Sequence, residues 1–132
     1  MRTTAEGSIY IIEDDAHFRE TLTDVMALRG VEVHGAGTAE EGLSGLRGRQ
    51  PTVIILDVQL PDMHGFDLCR RIRRIESLKK TPVIFVSAST QYHDPRDRVE
   101  GLLAGASLFL PKPITMEKLW AEIEFLLRRR SE

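Results

Sequence analysis

A chain of 132 residues, 42% hydrophobic and 29% charged, has the balance of one ordinary globular domain, which excludes a disordered or collagen-like polypeptide. Eighteen basic residues against twenty acidic ones leave a formal charge of −2, so bulk charge recruits neither nucleic acid nor acidic lipid. The single cysteine, Cys69, rules out a disulfide framework and fits a reducing compartment.

The polar start, Met1 to Ser8, lacks the apolar run of a signal peptide, and no segment is long enough to cross a bilayer. The expectation is one cytoplasmic domain over residues 1–132. Ile9-Tyr10-Ile11-Ile12 reads as a first strand that stops at Glu13-Asp14-Asp15. From Ala16 to Arg29, Phe18, Leu22, Val25 and Met26 recur at helical spacing, and Gly30 supplies a stop. Val31 to His34 is a short strand. Thr38-Ala39-Glu40-Glu41 has the form of a capping box and opens a helix to about Arg47. Val53-Ile54-Ile55-Leu56 is too short for a helix and apolar on both faces, as a strand covered on both sides reads. Phe66, Leu68, Cys69, Ile72 and Ile75 predict a third helix with Arg70, Arg71, Arg73 and Arg74 on its outer face. Pro82 to Val86 is a fourth strand. Val99, Leu102, Leu103 and Ala106 mark a fourth helix, and Leu108-Phe109-Leu110 a fifth strand. Thr115 caps a last helix carrying Met116, Leu119, Trp120, Ile123 and Leu127 on one side. Alternating βα units predict an α/β fold: a doubly wound, five-stranded parallel sheet in the flavodoxin-like order 2-1-3-4-5, with any site at the carboxyl ends of the strands.

The acids fall at those ends. The first strand runs into Glu13-Asp14-Asp15 and the third into Asp57, so adjacent strands gather up to four carboxylates. Like charges at such distances repel unless a cation or a shared proton relieves them, and hard carboxylate oxygens suit Mg²⁺. The plainer reading is that Glu13 and Asp14 favour the N-terminus of the next helix. The fourth strand ends in Ser87 and the fifth is followed by Lys112 between Pro111 and Pro113. Alone, these are a turn serine and a solvated loop lysine. With the acids they make a set able to bind a phosphoryl group.

These segments together resemble the response-regulator receiver domain of two-component signalling. The resemblance is carried by Ile9 to Asp15, Ile54 to Gly65, Pro82 to Ala88 and Gly105 to Pro113, in order and at the family's spacing. It implies that Asp57 accepts a phosphoryl group from a sensor histidine kinase or a histidine phosphotransfer protein. It implies Mg²⁺ held by Asp14, Asp57 and the backbone carbonyl of Gln59, with Glu13 acting through water. Ser87 and Lys112 would bind the phosphoryl oxygens, and Phe109 would be the aromatic that changes rotamer. The output would pass through the face of the fourth helix, fifth strand and last helix, to a partner, an effector domain or a second copy.

Glu13, Ser87 and Phe109 stand where the family more often has aspartate, threonine and tyrosine, and His64 stands where an acid is common. The stretch Ser89 to Pro95 is about three residues longer than usual for the family. Arg70 to Lys80 holds six bases and one acid and reads as a solvated face, without the aromatics of a nucleic-acid surface. His17, His34, His64 and His93 lack metal-ligand spacing and read as surface or loop residues. Cys69 belongs to the core, and Gly65 to a backbone turn before the third helix. Phe125 falls on the far side of its helix, a candidate interface residue. Arg128-Arg129-Arg130 suit that helix's negative end, or begin a linker over 128–132. Two other functions compete: a receiver-like interaction module that is never phosphorylated, and an aspartate-nucleophile phosphatase. The latter pairs its nucleophile with a second acid two residues on, where this chain has Gln59.

Overall fold

The computed structural model describes residues 7–88 and 95–131. Among them, β1 (Ser8–Ile12), α1 (Ala16–Ala27), β2 (Glu32–Ala36), α2 (Ala39–Leu46), β3 (Val53–Asp57), α3 (Gly65–Arg73), β4 (Val83–Ser87), α4 (Pro95–Leu103), β5 (Leu108–Pro111) and α5 (Met116–Ser131) follow one another. His93 and the rest of the stretch 89–94 lie outside the described residues. The strands pair in parallel in the order β2-β1-β3-β4-β5, as the alternating pattern predicts. In register, Ile12 lies beside Ala36 and Leu56, Asp57 beside Val86, and Ser87 beside Pro111. All five strands therefore end at one edge.

Successive strand residues point to opposite faces, so a sheet covered on both sides needs uninterrupted apolar runs. Tyr10, Ile12, Ile54, Leu56 and Phe85 pack with Leu46 of α2 and Phe66, Leu68, Cys69 and Ile72 of α3. Ile9, Ile11, Val53, Ile55, Ile84 and Val86 pack on the other face with Leu22 and Met26 of α1 and Leu119, Ile123 and Leu127 of α5. Cys69 is fully buried in the first layer, as expected.

Two local expectations change. Arg73 does not join the outer face of α3. Its guanidinium is partly buried and donates to Gly105 O (2.6 and 3.1 Å), Leu78 O (2.7 Å) and Thr81 O (2.7 Å). Lying four residues after Cys69, it flanks the buried stripe and closes the gap between the 3-10 turn Glu76–Leu78, the entry to β4 and the turn before β5. The fourth helix exists but turns Val99, Leu102 and Leu103 outward, while Gly101 and Ala104 are buried. Gly65 lies where the turn after β3 enters α3, as expected. It is glycine because a Cβ there would sit 2.4 Å from Asp57 O and 2.8 Å from Val58 Cα.

Helix α2 starts on two caps. Thr38 Oγ1 accepts from Glu41 N at 3.1 Å, as the motif predicts, but the Glu41 carboxylate accepts from Gly37 N rather than closing the box on Thr38. Asp62, from the loop after β3, places its two carboxylate oxygens on Ala39 N (2.9 Å) and Glu40 N (3.0 Å). These bonds hold the Asp62 carboxyl below its usual pKa. A carboxyl depressed on folding stabilises above its unfolded pKa and loses that contribution as pH falls through the folded value. Asp62→Asn should therefore lower the thermal midpoint at neutral pH. The difference from wild type should shrink as pH falls below the ordinary aspartate range and through the lowered folded value, where the native carboxyl is protonated too. An equal difference at pH 7 and pH 2.5 would count against the cap.

Candidate functional site

Four of the five strands, β1, β3, β4 and β5, each deliver one part of the site at the sheet's carboxyl edge. Beyond β1, Glu13 N still donates to Ala36 O at 3.0 Å, so this acid is held at the end of a ladder and is 2% exposed. Asp14 points outward. Asp15 leaves the cluster to cap α1, its Oδ1 accepting from Phe18 N at 3.1 Å, so of the acidic triplet only Glu13 and Asp14 join Asp57. Asp57, half-exposed, closes β3. Among the described residues, Glu13, Asp14 and Asp57 are the only group offering three potential ligand atoms within 4.8 Å of one another.

The electrostatics follow from this crowding. Burial pushes the Glu13 carboxyl up, the adjacent Asp57 carboxylate pushes the same way, and the Lys112 ammonium pulls it back. Desolvation and the Glu13 carboxylate raise Asp14. Lys112 Nζ donates to Glu13 Oε1 at 2.5 Å, an ion pair between side chains that are 16% and 3% exposed. Three hard carboxylates gathered this closely are a donor set suited to a divalent cation such as Mg²⁺.

The remaining predicted residues arrive from β4 and β5. Ser87 is 1% exposed at the end of β4, and its carbonyl accepts from Lys112 N at 2.8 Å, which fixes the lysine's backbone beyond β5. The Lys112–Pro113 peptide is cis. Gln59 N donates to Asp57 Oδ1 at 3.2 Å, and Gln59 pairs with His64 across the loop. His64 is a helix cap rather than a plain loop residue: its Nδ1 accepts from Phe66 N at 3.1 Å. Phe109, predicted as the mobile aromatic, is buried within 5.9 Å of the Phe85 ring and 6.4 Å of Phe66. The Arg98 guanidinium stands 6.0 Å over its ring.

Sequence reasoning overlooked Arg19. Its Nη1 donates to Glu13 O at 2.5 Å, pinning the acidic loop from α1. The side chain passes the end of β2, where Gly35 and the following Gly37 leave space; a Cβ on Gly37 would lie 3.2 Å from Nη1. The available signal was the pair of glycines at the end of an edge strand, Gly35 within it and Gly37 just beyond.

Comparison with known proteins agrees with this geometry. The response regulator receiver domain profile matches residues 9–124. The chain is 40% identical over 122 residues to the transcriptional regulatory protein AfsQ1 of Streptomyces coelicolor, covering 92% of this chain and 52% of that one. It is 38% identical over 122 residues to the transcriptional regulatory protein GltR of Pseudomonas aeruginosa, covering 92% and 49%. It thus spans about half the length of these curated relatives. The chemotaxis response regulator CheY4 of Vibrio cholerae superposes with a TM-score of 0.84 at 27% identity, over 94% of this chain and 99% of that one. With the site and the fold in agreement, the chain belongs to the response regulator receiver domain family of two-component signalling.

Proposed function

We propose that Asp57 is the phosphoacceptor and that a sensor histidine kinase or histidine phosphotransfer protein is the donor. The observation that carries this reading is the meeting of Asp57 with Glu13 and Asp14, beside the one lysine that reaches their cluster among the described contacts. An Asp57 carboxylate oxygen attacks phosphorus in line as the P–N bond to the donor imidazole breaks, the electron pair staying on that nitrogen. Lys112 and the Ser87 hydroxyl donate to the phosphoryl oxygens as charge gathers there. Glu13, Asp14, Asp57 and the Gln59 carbonyl would hold Mg²⁺, which when bound supplies positive charge for the same oxygens.

An aspartyl phosphate adds charge and strong acceptors where one carboxylate stood, giving Ser87 and Lys112 new partners and Phe109 a reason to change rotamer. The exposed Val99, Leu102 and Leu103 of α4 and Phe125 of α5 support an output face built on α4, β5 and α5, read by a partner, an effector domain or a second copy. In this reading the chain is a signalling module and no enzyme, works in the cytoplasm, and contacts neither DNA nor membrane directly. None of its described helices is long and apolar enough to cross a membrane. A linker over 128–132 would begin as a continuation of α5, which runs through Ser131.

The test is mass spectrometry after incubation with Mg²⁺ and acetyl phosphate. Wild type should gain one phosphoryl group and Asp57→Asn none. Equal labelling of the two would overturn the assignment, and catalytic turnover of a phosphomonoester would revive the phosphatase reading.

A further inference from the structure

The Lys112 ammonium has a second neighbour that the phosphoacceptor chemistry leaves unused. The centroid of the Phe18 ring lies 4.5 Å from Nζ, while Glu13 Oε1 lies 2.5 Å from it. Phe18 sits in the first turn of α1, half-buried, with its backbone N–H fixed by Asp15. Phe18, Ala88, Lys112, Pro113 and Ile114 line an open depression of about 430 Å³. Resting on the reading of Asp57 as phosphoacceptor, we propose that Phe18 is a positioning residue for Lys112, its ring holding the ammonium beside the acid cluster, ready for a phosphoryl group on Asp57.

The physical need comes from the lysine itself. Its ammonium rides on a flexible four-carbon stem and is strongly hydrated, so a fixed backbone alone does not fix the charge. Glu13 attracts it, but a buried carboxylate competes with the phosphoryl oxygens for the same N–H groups. An aromatic face attracts the cation through its quadrupole and is a weaker acceptor than any phosphoryl oxygen. The ring thus confines the ammonium and yields its protons when stronger acceptors arrive. Leucine at position 18 would fill similar space without that attraction.

Wild type, Phe18→Leu and Phe18→Tyr are compared in two measurements. In the first, no phosphoryl donor is present, and the Lys112 ε-methylene resonance is followed by carbon–proton NMR, assigned by its loss in Lys112→Arg. Ring current should displace it upfield in wild type and Phe18→Tyr and not in Phe18→Leu. In the second, Mg²⁺ and acetyl phosphate are added and the labelling rate is read by mass. Phe18→Leu should be about fivefold slower and Phe18→Tyr within about twofold of wild type, at an unchanged thermal midpoint. Wild-type labelling by Phe18→Leu with an unmoved resonance overturns the proposal, as does equal slowing in Phe18→Tyr. Absence of label on wild-type Asp57 would instead sink the phosphoacceptor reading, and the NMR arm would still decide whether the ring holds the lysine.

Discussion

Arg73→Met should destabilise the protein by about 3 kcal/mol, seen as a drop of about 10 °C in thermal midpoint. The native guanidinium makes four hydrogen bonds to the carbonyls of Gly105, Leu78 and Thr81 from a partly buried position. Burial draws its pKa down, but a guanidinium remains charged in water-accessible protein, so all its donors stay available. Leu78 O also accepts from Thr81 N at 3.3 Å and survives the loss. Gly105 O and Thr81 O lose the charged donor described for them, and bonds to charged groups are the stronger kind. Gly105 is adapted to this contact: its φ is +115°, and a Cβ there would lie 2.8 Å from Arg73 Cγ and Nε. Arg73→Lys should recover less than half of the loss, because one ammonium cannot fork across three carbonyls. Urea melts of the three proteins at 25 °C check this; a melt of Arg73→Met matching wild type would show the fork to be idle.

Arg73 also shows what the sequence could and could not disclose. The strands were legible because burial on both faces leaves uninterrupted apolar runs, and the acids were legible because they stop those runs where a doubly wound sheet places its site. Glu13, Asp14, Asp57 and Lys112 come together as expected, since strand ends are fixed by register. Side-chain direction was less accessible. A run of arginines invites an outward reading, yet Arg73 is one turn from Cys69 and shares its side of the helix. Apolar spacing located α4 but pointed to the wrong face, because periodicity reports that residues share a side and says nothing of what covers it. The caps and clamps joining distant segments left still less trace. Asp62 serves a helix twenty-three residues earlier in the chain, and Arg19 is legible only through the glycines it passes.

Gly65→Ala should damage both stability and phosphoryl acceptance, and for one reason. A Cβ at position 65 would lie 2.4 Å from Asp57 O, 2.8 Å from Val58 Cα and 2.9 Å from Val58 O. These are backbone atoms of β3 and its exit, which cannot rotate away as a flexible side chain could. Gly65 N also donates to Val58 O at 2.6 Å, so the helix cannot retreat without losing that bond. Overpacking of this kind costs about 2 kcal/mol. The displaced segment runs through Asp57, whose carboxylate accepts from Gln59 N, so the shift reaches the nucleophile and the neighbouring carbonyl together. Misplacing a reacting group by a fraction of an ångström to one ångström slows transfer by about tenfold or more. Labelling by acetyl phosphate, measured well below the variant's thermal midpoint and normalised to folded protein, separates the two effects. A slow but fully folded variant places Gly65 in the geometry of the site, whereas a wild-type rate and midpoint would mean that the loop absorbs the methyl group and that close packing here is incidental.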